Sequence, residues 1–275
     1  MKRIVLSIVV ALAFAPWATA EPLIFSVTGC GPYLKGEDKL LADYVRLVSG
    51  DGKSEFLVHL GDIFPGKLNP APEAEYAKVA DILKSSKTPV LVVPGDNEWN
   101  DQNDPARAWT FWVKHFGDFE KNFAKAPPLQ RQKARLENFS LVSKGVLVLG
   151  INLVGGRVHD AKEWKMRHAD NNDWVKEQLA QHGDKVRALV VLAQAEPNAT
   201  HDSFFRPFVN QIKDWGKPTL YLHADGHKWE VHKKWRADNL LRVQTDMIGT
   251  NPPVIVTVGD DADEPFQFER RKRKK

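Results

Sequence analysis

The sequence predicts a single α/β domain in which helices cover sheets of mixed strand direction. Three observations predict it. Short apolar runs alternate with helix-length stretches through the first third of the chain, the β-α-β-α-β rhythm of parallel strands joined by helical crossovers. Toward the C-terminus the elements become short strands separated by turns, which suits an antiparallel finish. No repeat, low-complexity linker or shift in composition marks a second domain.

Taken in order, 23–28 reads as a buried strand and 37–48 as the first helix. A strand at 56–60, a helix at 73–84 and an apolar strand at 89–93 complete the opening rhythm. The middle is helix-rich and aromatic, and Trp109, Phe111, Trp112, Phe116, Phe119 and Phe123 have the spacing of core or capping residues. Strands follow at 146–153, 188–193 and 219–222, with helices at 164–181 and 204–215. Short strands at 229–235, 240–244, 254–258 and 266–268 close the chain.

The two ends read differently from the body. Lys2 and Arg3, an apolar run over 4–15, Pro16 and then Ala18-Thr19-Ala20 form a secretory signal expected to be cleaved after residue 20. The run is shorter than the roughly twenty residues a membrane helix needs, so the mature chain is expected in the periplasm or secreted, with no transmembrane segment. The domain is expected over 21–268 and a basic, disordered tail over 269–275. The 39 Lys and Arg exceed the 35 Asp and Glu only through Lys2, Arg3 and the unbroken basic run at 270–275. The body between is therefore mildly acidic, which argues against a specific nucleic-acid partner, whose binding face would be basic. The tail reads as solvated, with contact to a polyanion or an envelope surface as the sharper alternative. Cys30 is the one cysteine, so no intramolecular disulfide supports the fold.

Three strands run into loops that carry acids behind small residues: Gly61-Asp62, then Pro94-Gly95-Asp96-Asn97-Glu98-Trp99, then His223-Ala224-Asp225-Gly226-His227. Loops at the carboxyl ends of strands converge over one crevice in open α/β sheets. Carboxylates gathered there repel and need a cation to remain ionised at modest cost. Oxygen donors with an imidazole suit manganese, iron, zinc or magnesium. A single Gly-Asp pair after a strand is an ordinary turn or cap; the ordered set of three carries the argument. His223 and His227 flank Gly226 just after a strand, so the helical zinc-protease pattern does not apply. His59 reads as a core residue, and Ser140 and Ser203 lack a nucleophile-elbow context.

On these loops the sequence resembles the calcineurin-like metallophosphoesterases, whose loops read Asp-x-His, Gly-Asp, Gly-Asn-His-Asp/Glu, a lone His and Gly-His-x-His. It is more closely similar to a secreted bacterial branch with the phrase found here at 94–99, which also shares wording like that at 150–155 and 223–227. The resemblance, running from about residue 23 to 268, implies a four-layer α-β-β-α sandwich with mixed sheets, and metal-dependent hydrolysis of a small phosphorylated substrate. It implies a divalent metal site, of one or two ions, at Asp62, Asp96, Asp225 and His227, with Asn97 and Glu98 at the catalytic position. Several positions depart from the pattern. Cys30 and Pro32 stand for the first-loop Asp and His, and Asn97 stands for the histidine thought to protonate the leaving group. Gln194 lies where the lone His is expected. Asn donates a hydrogen bond but delivers no proton. Cys30, Gln194 and His223 are therefore weak ligands or orienting groups around the site. The alternative function is a catalytically silent envelope or secreted binding protein on the same fold.

Overall fold

The computed structural model describes residues 21–273; the signal segment expected over 1–20 lies outside the described residues. In chain order the first half comprises β1 (Leu23–Thr28), α1 (Glu37–Asp51), β2 (Leu57–His59), α2 (Glu73–Lys84), β3 (Val90–Val92), α3 (Pro105–Phe116), β4 (Gln130–Arg131) and β5 (Phe139–Ser143). The second half comprises β6 (Val146–Gly150), α4 (Ala161–His182), β7 (Ala188–Leu192), α5 (Asp202–Trp215), β8 (Thr219–His223), β9 (Glu230–His232), β10 (Leu240–Gln244), β11 (Val254–Val258) and β12 (Phe266–Glu269). Local chemistry sets the helix limits. Asp104 caps α3 by accepting from Arg107 N at 2.9 Å, with Pro105 at its first position. Asp160 caps α4 through Lys162 N and Glu163 N at 2.8 and 3.1 Å. Gly52 and Gly216, both left-handed, end α1 and α5.

Two sheets result, one ordered β12-β11-β1-β2-β3 and the other β4-β5-β6-β7-β8-β10-β9. Strand alternation fills three apolar layers. Phe25, Val27, Val58 and Leu91 meet Val148, Val190 and Leu222 between the sheets. The opposite faces carry Leu57, Val90 and Val92 under α1, α2 and α3, and Leu149, Val191 and Tyr221 under α4 and α5. Both faces of each sheet are thus buried, which is why the strands read as unbroken apolar runs. The architecture is the four-layer α-β-β-α sandwich. The middle aromatics pack as expected, with Trp109 stacked on Trp112 at 4.9 Å and Trp112, Phe116 and Phe119 in the core beneath α3.

Three expectations are corrected. The C-terminal strands are not uniformly antiparallel: β10 runs parallel to β8, while β9 and β12 add in the antiparallel sense. A hairpin of β5 and β6, missing from the sequence reading, turns at Lys144-Gly145, both with positive φ (47° and 72°). That is the conformation a two-residue hairpin loop demands. Of the tail expected to be disordered over 269–275, residues 269–273 are described, and these are held to the body. Glu269 belongs to β12, Arg270 reaches Asp246 at 2.7 Å, Arg271 pairs with Asp51, and Arg273 donates to Gly249 O at 2.9 Å. Among the described residues no helix is long and apolar enough to cross a membrane.

Candidate metal centre

The loops after β1, β2, β3, β7 and β8 are stitched together by their own backbones. Cys30 N donates to Gly61 O at 3.0 Å and Gly31 N to Asp62 O at 2.7 Å, while Ala224 N donates to Gln194 O at 3.2 Å. Gly61 and Gly95 let the second and third loops touch: a Cβ on either would collide with the other loop's backbone, and Gly61 itself has φ 80°. Asp96 opens a wide π-turn over Asp96–Asn100, a rare element that tends to occur at functional sites.

Eight non-glycine residues have positive φ among the described residues. Four of them, Asp118, Lys144, Lys234 and Arg236, lie on exposed turns; the others are Cys30, Asp62, Asp225 and His227. Left-handed backbone costs such residues on the order of 1–3 kcal/mol each, and here it turns four side chains toward one cleft, in two groups that share Asp62. Asp62, Asp96 and Asp225 offer oxygens that all lie within 4.8 Å of one another, and so do the ligand atoms of Cys30, Asp62 and His227. Asp62 belongs to both groups.

The electrostatics are one-sided. Ion pairs beside the cleft join Arg242 to Glu196 and Arg270 to Asp246, but none reaches the three carboxylates among the described residues. Burial, then the charge of Asp62, pushes the Asp96 carboxyl well above its usual range, and the same two causes raise Asp225 to about 6. Burial and Asp62 also push the Cys30 thiol up.

A model of the calcineurin-like phosphoesterases matches residues 34–229. The chain belongs to that family. No curated protein sequence matches it. Among solved structures it is similar to GAP50, the anchor in the inner membrane complex of Plasmodium, with TM-score 0.56 and 14% identity, covering 92% of this chain and 90% of that one. It is also similar to a 5'-nucleotidase from Candida albicans, with TM-score 0.53 and 13% identity over 91% of this chain. The match takes in 52% of the nucleotidase, so this chain spans about half its length. At such identities these structures establish the fold alone.

Within this phosphoesterase frame each expected residue has a definite place. Asn97 is half-buried at the mouth, its Nδ2 donating to Phe64 O at 3.1 Å and to Tyr33 Oη at 3.4 Å. Glu98 departs from its expected catalytic position. Its fully buried carboxylate accepts from Gly95 N at 2.6 Å and from Asp62 N at 3.0 Å, clamping the second loop to the third. The π-turn points it inward, away from the cleft. His223 also faces away: its Nε2 accepts from Arg242 Nε at 2.9 Å, and Tyr221 stacks on its ring. Gln194 Nε2 donates to Asp96 Oδ1 at 3.0 Å and to Asp62 Oδ2 at 3.3 Å, while its Oε1 accepts from Gly155 N at 2.7 Å.

Two residues were missed from sequence. The Tyr33 hydroxyl donates to Asp62 Oδ2 at 2.8 Å and lies 3.5 Å from His227 Nε2. Gly155 leaves room for Asp225, whose Oδ2 a Cβ there would strike. Tyr33 directly follows the altered first loop, and that adjacency was the available signal.

The donor set fits a divalent cation. Three carboxylates, two buried and one half-buried, converge with no ion-pair partner among the described residues, which is the condition a bound cation relieves.

Proposed function

We propose that this chain is an exported phosphoesterase of the secreted bacterial branch, hydrolysing small phosphate esters with a divalent cation held on the Asp62 cluster. The observation carrying this reading is the convergence of Asp62, Asp96 and Asp225, which no ion pair reaches among the described residues. Asp62, the residue common to both donor groups, would hold the cation together with donors from one or both. When bound, the cation would polarise the phosphoryl group and neutralise its developing charge.

The chain's own groups do the rest. Asn97 can donate a hydrogen bond to a phosphoryl oxygen by exchanging its long contact with Tyr33 Oη, 3.4 Å, but it has no proton to give the leaving group. Glu98 is a positioning residue: it fixes the Asp62 and Gly95 backbones, and through them the distance between two carboxylates. The Tyr33 hydroxyl keeps Asp62 Oδ2 oriented. Ester cleavage is thus restricted to leaving groups that depart as anions.

The test is hydrolysis of p-nitrophenyl phosphate by the exported protein, with manganese or zinc and then with chelator. Activity with metal that chelator abolishes is expected; metal-independent activity, or none in any metal, overturns the reading. Export itself predicts Glu21 as the first residue of the mature protein, read by mass spectrometry. One observation favours the silent binding role instead. Asp62 already accepts from Tyr33, Gln194, Cys30 and the Asn97 backbone, and a protein that binds metal yet cleaves no ester would match that reading.

A further inference from the structure

The cleft holds two unlike halves that share Asp62. In the first, Asp62 and Asp96 are bridged by the amide of Gln194. Gly155 N pins the amide oxygen at 2.7 Å, which leaves the NH₂ group as the end that meets the carboxylates, at 3.3 and 3.0 Å. A neutral donor therefore lies between Asp62 and Asp96, the two acids that a cation in this half would bridge. The hydrogen bonds it supplies are ones that only a donor can make.

In the second half the groups are of a different kind. Cys30 Sγ is 3.6 Å from Asp62 Oδ2, Tyr33 Oη is 2.8 Å from that oxygen, and Tyr33 Oη is 3.5 Å from His227 Nε2. A tetrahedral zinc ion with bonds of about 2.0–2.3 Å has donor-to-donor edges of roughly 3.3–3.8 Å. The Cys30 and His227 separations fall on such edges, and the shorter Tyr33–Asp62 separation is a hydrogen bond. Cys30, Asp62 and His227 all hold positive φ, at 52°, 60° and 65°, so the backbone is committed to this convergence. His227 and Tyr33 are half-buried, which leaves the cluster open to solvent on one side.

We propose that the chain binds a single zinc-class cation between Cys30, Tyr33, Asp62 and His227, with the Gln194 amide standing in for a second ion. This rests on the reading above that a cation occupies the Asp62 cluster. Sulfur and imidazole donors select zinc and cobalt over magnesium and calcium. As the sulfur coordinates, the thiol proton leaves to solvent.

Cobalt titration into the chelator-treated full chain, followed by absorption and metal analysis, tests this without reference to activity. One equivalent is expected, with a near-ultraviolet thiolate-to-cobalt charge-transfer band that zinc displaces and magnesium does not. Cys30→Ser should lose the band, and Asp96→Asn should keep it, with circular dichroism confirming that both variants fold. Cobalt bound without the band, two equivalents, or a band that survives Cys30→Ser overturns the proposal while leaving metal-dependent hydrolysis standing. No cobalt bound at all ends both.

Discussion

Two buried polar assemblies sit in this fold, and they settle the cost of burial in opposite ways. Beneath α4, amides hydrogen-bond one another and acids are paired with arginines. Asn138 Nδ2 donates to Gln132 Oε1 at 2.7 Å and to Asn171 Oδ1 at 2.8 Å, and Asn171 Nδ2 donates to Asn152 O at 2.9 Å. Each acid there has a cation: Arg135 meets Glu137, Glu163 and Asp170, and Arg167 meets Glu163 at 3.0 Å. In the cleft, Asp62, Asp96 and Asp225 converge with no ion-pair partner among the described residues. Burying charge is tolerable only when something compensates it. Under α4 the chain supplies the compensation, which marks a structural network. In the cleft it does not, which marks a place where compensation comes from outside.

The largest effect expected lies in the cleft's chemistry. General acid help to a leaving group is worth about 10²–10⁴-fold, and Asn97 cannot provide it. The ratio of turnover on p-nitrophenyl phosphate to that on an alkyl phosphate should reach that range. Equal rates would show that another residue delivers a proton, and the cleft would then hold an acid besides its metal-binding groups. Cys30→Asp with Pro32→His and Asn97→His should raise the alkyl rate.

Next comes the network under α4. The Arg167 side chain is fully buried, paired with Glu163 and held between Trp99 and Trp164 at 4.9 and 5.0 Å from their ring centres. Arg167→Ala leaves Glu163 with Arg135 alone, at 3.4 Å, and removes the stacking, and removing one partner of a buried pair costs about 3 kcal/mol or more. Urea unfolding measures it. A cost near zero would mean that this assembly is not structural, and half of the comparison would go.

The sequence made the body of this fold legible because its strands are buried on both faces. β1, α2, β10 and β11 begin and end where apolar runs and turn residues place them. The loops of Asp62, Asp96, Asp225 and His227 were legible too, since order along the chain survives in the fold. What stayed hidden depends on direction in space. The inward turn of Glu98 comes from a π-turn, which no local pattern announces. The orientation of Gln194 depends on Gly155, distant in sequence, and the contact of Tyr33 with Asp62 depends on how the first and second loops dock. β5 was missed because Phe139–Ser143 alternates weakly and its partner is an already assigned strand, although the Lys144-Gly145 turn signal was present.

The pH response separates the two assemblies further. Burial, then the charge of Arg167, holds His168 down to about 3, and burial holds His59 down to about 4. An ordinary histidine titrates near 6.5, so below that value the unfolded chain binds protons that the folded chain refuses. The stability these residues contribute is complete above about pH 6.5 and is lost as pH falls toward 4, by up to about 1.4 kcal/mol per unit for each group. Raised carboxyls in the cleft act with the opposite sign, so a variant isolates the histidine. His168→Gln should lose less stability than the parent between pH 7 and pH 5 in urea melts. Parallel curves would mean that His168 accepts its proton in the folded state.

The smallest expected effect is also the one with a counterintuitive sign. Asp96→Asn keeps an oxygen for the Gln194 Nε2 bond, 3.0 Å long in the parent, and removes one of three like charges. Two unit charges 4–5 Å apart repel by roughly 3–4 kcal/mol at an effective dielectric of about 20. Much of that is already relieved, because the Asp96 carboxyl is pushed well up and takes a proton readily. A remainder of about 1 kcal/mol should appear in chelator at pH 8 as a melting temperature about 2–4 °C higher than the parent's. The same substitution under α4, at a paired acid such as Glu163, should lower it. Added zinc then locates the cation. If the ion sits with Cys30, Tyr33 and His227, the Asn variant keeps both its advantage and its metal-induced rise; if Asp96 is a ligand, that rise shrinks. A lower melting temperature for Asp96→Asn in chelator would mean that Asp96 already has a counter-charge, and the contrast between the two assemblies would not hold.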